Sequence, residues 1–338
     1  MLTTPKINSM GSQRVVYFNG ALVPEHEAKI SIYDSALMFG DMVFEMTRSF
    51  NKKQFKLKEH IERMLAGVKI LRIPIELNVD ELTEICQQTI NANDHLFDEN
   101  DEHRLMIDIS RGLLGIYQGI EGLHAGTNVI VADFPLRWTV RGMGELFDTG
   151  INAVVTSQRA IPASLLDPKI KNRSRIHYLM ANIEASQIPG NNNWALLLDP
   201  DGFVSEGTGD NFFIVKDNTI ISPEGRNILR GISRDYVMKE LCPQLGLISV
   251  EKNIDLYDVY TADEAFMTGT PFCMLPVTSV NGTPIGNGTV GAVFSRLISQ
   301  WSRNEEVDII RQIKDWNSHD ELMNTSSPSA PTPYRFKR

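Results

Sequence analysis

The residues best suited to bond-making chemistry lie in a short basic segment, Asp167-Pro168-Lys169-Ile170-Lys171-Asn172. A lysine amine attacks a carbonyl carbon only when it is unprotonated, and burial or neighbouring charge lowers its pKa far enough for that. Lys169 and Lys171 compete for the role, both just ahead of a stretch, 174–186, that reads as helix. Further on, Glu206 in Ser205-Glu206-Gly207 offers a carboxylate close to an Asp201-Gly202 turn. Gly231-Ile232-Ser233 opens an amphipathic stretch. A helix start of that form, with free N–H groups and the positive end of the dipole, is a seat for an anion such as a phosphate. Arg104, at the start of an apolar strand, and Arg111, in Ser110-Arg111-Gly112, are cations able to hold a carboxylate.

These residues need a scaffold, and 338 residues suggest about two domains with a core large enough to stand without disulfides. The strand signals begin with Val15–Phe18 running into Asn19-Gly20, a hairpin pair of residues. Ala28 to Tyr33 reads as a further strand, and Met42 to Lys56 as strand, turn at Asn51-Lys52-Lys53, and strand. Leu57, Ile61, Met64, Leu65, Val68 and Leu71 fall at helical spacing, and Asn78 with Glu81 forms a capping-box pattern for a second helix. Short strands follow at Leu105–Ile109 and Val129–Ala132. The polar, Gly-containing stretch at 141–150 divides the chain into a flexible leader (1–13), a small α/β domain (14–140), an interdomain loop (141–150), a large domain (151–302) and a C-terminal helix with a disordered tail (303–338).

Composition removes several functions. A net charge of -9, from 33 basic and 42 acidic residues, leaves no basic footprint for a nucleic acid. No run approaches the ~18 apolar residues of a membrane span. Residues 1–14 lack the apolar core of a signal peptide. Cys86, Cys242 and Cys273 form no CxxC pair and read as core thiols of a cytoplasmic protein. There is no GxxxxGK[ST] loop, GxSxG elbow, HExxH pair or GxGxxG turn, and the seven histidines show no ligand spacing, so no metal is expected.

Six segments occur in a telling order: Glu59-His60-Ile61-Glu62-Arg63; Ile109-Ser110-Arg111-Gly112; the Lys169/Lys171 segment; Asp201 to Phe213, which contains Ser205-Glu206-Gly207; Leu229-Arg230-Gly231-Ile232-Ser233-Arg234-Asp235; and Phe266-Met267-Thr268-Gly269-Thr270. Together, over residues 15–300, they resemble the class IV aminotransferases, the fold-type IV pyridoxal-phosphate (PLP) enzymes. That family spans branched-chain aminotransferases, D-amino-acid transaminases, aminodeoxychorismate lyases and (R)-selective amine transaminases. The resemblance implies a two-domain α+β fold, PLP as cofactor, and a homodimer whose sites borrow loops from the partner. It selects Lys171, thirteen residues ahead of Glu184-Ala185, as the Schiff-base lysine. It implies that Glu206 holds the pyridinium, that Ile232, Ser233, Thr270 and Arg63 hold the phosphate, and that Phe44 borders the substrate beside Arg111 or Arg104.

Within the family, Ser35 to Gly40 followed by Val43-Phe44-Glu45 resembles the branched-chain members, and Leu37 stands where the D-amino-acid enzymes place a tyrosine. The implied reaction moves the amino group of a branched-chain L-amino acid to 2-oxoglutarate. Departures from the branched-chain pattern keep the D-amino-acid, (R)-amine and lyase alternatives open. Met46 replaces a glycine, Arg175 and Tyr178 bracket the place of an expected tyrosine, Ser110-Arg111-Gly112 leans away from the branched-chain group, and Pro271-Phe272-Cys273 is atypical.

Overall fold

The computed structural model describes residues 14–190 and 192–318. The leader at 1–13 and the tail from 319 onward, expected to be flexible, lie outside the described residues.

The first unit is an antiparallel sheet. β1 (Val15–Phe18) and β2 (Ala21–Pro24) form a hairpin through Asn19-Gly20, both at positive φ as a tight two-residue turn requires. The one-turn α1 (Ser35–Phe39) leads into β3 (Met42–Met46). The expected strand, turn, strand then appears as β4 (Ser49–Phe50) and β5 (Lys53–Gln54). With β6 (His103–Ser110) and β7 (Asn128–Pro135), the strand order is β2-β1-β7-β6-β3, which leaves β3 at an edge. Leu105, Ile107 and Ile109 of β6 pack with Ile61, Met64 and Val68 of α2 (Leu57–Leu71), and with Leu82 and Ile85 of α3 (Val79–Asn93). Alternation along β6 therefore turns Arg104 and Asp108 to the other face. The capping box forms as read: Asn78 Oδ1 accepts from the Glu81 N–H, and the Glu81 carboxylate accepts from the Asn78 N–H.

Two one-turn helices, α4 (Arg137–Val140) and α5 (Leu146–Thr149), precede the second unit. Its strands are β8 (Ile151–Arg159), β9 (Asn193–Leu198), β10 (Val204–Gly207), β11 (Asn211–Lys216), β12 (Thr219–Ser222), β13 (Ile248–Glu251), β14 (Glu264–Gly269), β15 (Cys273–Val280) and β16 (Thr283–Pro284). The order β10-β9-β8-β15-β14-β11 closes on itself through a β10–β11 pairing at Glu206 and Asn211. A closed ring removes the unpaired edges there. Its core holds Phe212, Phe213, Phe266, Met267 and Leu275, covered by Trp301 of α10 (Ala292–Asn304). Phe50 and Phe55, from the β4–β5 region, insert into this same core.

Three expectations are corrected. Ala28–Tyr33 forms no strand; Ile30 and Ile32 are both exposed, so the alternation there has no sheet to pair with. The stretch read as a polar loop buries Met143, Leu146 and Phe147 in the large core, because its few apolar residues fall on one side of α5. The C-terminal helix begins at Ile309 (α11, Ile309–Ser318), not at 303, because α10 runs on to Asn304.

Candidate active site

Lys171 lies ahead of α6 (Ile176–Ser186), in a segment that adds to the free edge of β3. The Phe44 N–H donates to the Lys171 carbonyl at 2.9 Å, and the Arg173 N–H to the Met42 carbonyl at 3.1 Å. The amine stands 4.8 Å from the centre of the Phe44 ring. Burial brings the amine down to about 7 from 10.5, and Arg63 and Arg175 push the same way against Glu45 and Glu206. At neutral pH a large share of it is therefore the neutral nucleophile. Lys169 is occupied elsewhere, with its ammonium 2.8 Å from Asp167 and bonded to the Arg226 carbonyl.

Glu206 sits on β10 where the barrel closes. One carboxylate oxygen accepts from the Tyr178 hydroxyl at 2.9 Å; the other accepts from the Asn211 side-chain amide and the Leu229 N–H, each at 3.0 Å. Burial raises its pKa to about 7 despite these donors. Such a carboxylate is oriented and ready for a cation placed against it.

The same cavity is lined by Arg63, Ile232, Ser233 and Thr270. Gly231 precedes α7 (Ile232–Tyr236), whose helical path continues to Gln244. A Cβ at Gly231 would meet the Asn211 Oδ1 at 2.1 Å, so only glycine lets the helix start approach the Glu206 network. Arg63 donates twice to Glu45, at 2.7 and 2.8 Å, and once to the Arg230 carbonyl at 2.8 Å, just before that start. Burial opposes the charge on Glu45, but Arg63 and His60 overcome it and hold the carboxyl well below the usual range.

Lys171, Glu206, Arg63, Ile232, Ser233 and Thr270, far apart in sequence, thus line one cavity. Phe44 is buried beside the amine. Arg111 is used up elsewhere: it pairs with Asp41 and donates to the carbonyls of Leu71 and Arg72 at the end of α2. Arg104 is buried, with one Nη 3.5 Å from the Met46 sulfur and with Nε and the other Nη unpartnered. Burial and nearby Arg48 bring it down to about 9. Asn211 and Asp210 also line the cavity and were not singled out from sequence. Their only signal was their position at the end of the Glu206 segment.

An anion seat, a neutral amine and a buried carboxylate along one cavity fit a flat molecule with a phosphate, an aldehyde and a basic ring nitrogen. The unpartnered Thr268 hydroxyl and Asp210 oxygen on the same wall leave polar capacity for a ligand. A closed barrel carrying such a cavity against the edge of a smaller sheet defines an enzyme that condenses a lysine amine with a carbonyl. The chain belongs to the amino-transferase class IV family, whose sequence profile matches residues 42–280. It is 36% identical over 284 residues to a putative branched-chain-amino-acid aminotransferase of Methanocaldococcus jannaschii, covering 83% of this chain and 93% of that one. The Escherichia coli K12 branched-chain-amino-acid aminotransferase is 32% identical, over 83% and 90% of the two chains. The crystal structure of an E. coli branched-chain amino acid aminotransferase superposes with a TM-score of 0.76 at 31% identity, covering 86% and 94%. A T.th. branched-chain amino acid aminotransferase crystallised with pyridoxamine 5'-phosphate also gives 0.76, at 30% identity, covering 87% and 94%.

Proposed function

We propose that this class IV aminotransferase works with pyridoxal 5'-phosphate and moves the amino group of a branched-chain L-amino acid to 2-oxoglutarate. The observation that carries the reading is that one cavity is lined by the Lys171 amine, the buried Glu206 carboxylate, Arg63 and the helix start at Ile232-Ser233, with Thr270. The names of the relatives supply the substrate class.

When bound, the cofactor supplies an electron-withdrawing ring that eases loss of the substrate α-proton. Lys171, largely neutral near pH 7, takes that proton and returns it, general acid–base help worth ~10²–10⁴-fold. Glu206, fixed by Tyr178, Asn211 and the Leu229 N–H, keeps a proton on the ring nitrogen. Arg63, held by Glu45, and the helix start at Ile232-Ser233 receive the phosphate, with Thr270 as a further contact. Phe44 gives the substrate an apolar wall. Arg111, paired with Asp41, and Arg104, which is not among the residues that line the cavity, are weaker candidates for the substrate carboxylate than their sequence positions suggest.

The active unit in this reading is a homodimer. Ile32, Leu37 and Phe39 are 70%, 65% and 63% exposed around α1, an apolar surface that suits a second copy of the chain. The three buried, unpaired cysteines suit the reducing cytoplasm. No helix among the described residues is long and apolar enough to cross a membrane.

The test is a half-reaction followed by the absorption of the bound cofactor, with L-leucine, D-alanine and (R)-1-phenylethylamine offered in turn. Conversion by L-leucine alone is expected. Conversion by D-alanine or the amine, with L-leucine inert, moves the protein to another subgroup. Release of pyruvate from aminodeoxychorismate without an amino acceptor makes it a lyase.

A further inference from the structure

Arg175 is the cation of the cavity wall to which this reading gives no task. It stands four residues past Lys171, just ahead of α6, and lines the same cavity. The neighbouring arginines carry their own counter-ions: Arg63 has Glu45, and Arg173 has Asp108 at 2.7 Å. Arg175 has no carboxylate within ion-pair reach among the described residues. Its one hydrogen bond there runs from an Nη to the Thr208 carbonyl.

The surroundings restrict how the guanidinium can be used. Its central carbon lies 4.6 Å from the centre of the Tyr178 ring and 5.5 Å from that of Phe44. Two aromatic rings favour the cation but accept none of its N–H bonds, so its free donors stay available. Glu206 accepts from three other donors and forms no ion pair with it. A largely buried guanidinium with spare donors, beside the amine that meets the substrate, calls for an anion brought in by the ligand.

We propose that Arg175 receives the α-carboxylate of the amino-acid substrate and so sets which amine carriers the enzyme accepts. The proposal rests on the aminotransferase reading above. An oxygen anion on the cofactor ring is the other source of the same chemistry, and the test separates the two.

The measurement is calorimetric titration of the cofactor-loaded protein with 4-methylpentanoic acid, which is leucine without its amino group, and with the uncharged 4-methylpentanamide. The expected result for Arg175→Gln is acid binding about 10–100-fold weaker, the value of charge-assisted hydrogen bonds, with the amide affinity unmoved. Arg175→Lys restores part of the acid affinity, since a point charge replaces a fork. An Arg175→Gln protein that keeps the wild-type preference for acid over amide overturns the proposal. So does a shift in the pH midpoint of the cofactor's visible band with acid binding intact, which puts the guanidinium on the cofactor. Neither ligand can react, so a protein that rejects L-leucine as a donor still gives a clear answer.

Discussion

The main-chain N–H of Phe44 donates to the carbonyl of Lys171 at 2.9 Å, across the seam between the small sheet and the barrel. A bridge between Val43 and Asn172 continues that ladder. The amine is thus placed by strand hydrogen bonds, which hold position more tightly than a free loop does. The same strand also holds Arg63: Glu45, one residue on, points to the opposite face and clamps it. β3 therefore carries Phe44 to the amine and Glu45 to Arg63 from successive positions.

Lys171→Met abolishes amino transfer and stabilises the cofactor-free protein. The folded pKa of about 7 lies below the unfolded 10.5, so between these values the unfolded chain binds more protons and wild-type stability rises with pH. The destabilisation is complete below about pH 7 and gone above about pH 10.5. Scanning calorimetry should show the variant ahead at pH 6.5, by about 2–4 °C for each kcal/mol recovered, with the gap narrowing toward pH 10. A gap independent of pH would remove the claim that the amine is strained toward neutrality.

Glu45→Gln breaks a buried pair and leaves Arg63 without its bidentate partner. The expected loss of stability is about 3–5 kcal/mol, read from urea midpoints. Inorganic phosphate should also compete less well for the cofactor-free cavity, because the arginine that meets it is no longer aimed. Unchanged phosphate competition would separate Arg63 from the anion seat.

Glu206→Gln keeps the hydrogen-bond size of the residue and loses its charge. The half-reaction with L-leucine should slow ~10²–10³-fold, the usual scale for removing one preorganised electrostatic contact. Stopped-flow rates at saturating donor decide it, and a wild-type rate would show that the ring nitrogen is not held here.

Asp210→Asn tests the least comfortable group in the site. Burial, then the neighbouring Glu206, raises Asp210 to about 8 from 3.8, and its Oδ1 has no partner. The folded chain keeps a proton that the unfolded chain has released, so its stability falls as pH rises from about 4 to about 8. The variant should gain on wild type through that window and hold its full advantage at pH 8.5. Parallel stability profiles for the two proteins would contradict the assignment.

What could be read ahead of the structure was local. Asn19-Gly20, Asn78 with Glu81, and Gly231-Ile232-Ser233 each specify a turn or a helix start within a few residues, and each is found where it was read. Five of the six segments that resembled one family supply residues to one cavity, while Ile109-Ser110-Arg111-Gly112 does not, its arginine being paired with Asp41. Ala28–Tyr33 misled for the converse reason, since strand-forming side chains become a strand only where a neighbour has a free edge.

The amino-acid sequence by itself determined the chemistry on offer: a lysine ahead of a helix, a carboxylate in a turn, a glycine-led helix start, and a surplus of arginines. Only the tertiary structure decided which arginine has a charge to spare. Arg111 is neutralised by Asp41, seventy residues away, and Arg173 by Asp108, sixty-five away, while among the described residues Arg175 forms no ion pair and meets a carbonyl and two rings. Counter-ions are a matter of distance in space. Coulomb energy falls with separation and grows with burial, and neither quantity exists along a chain until it has folded.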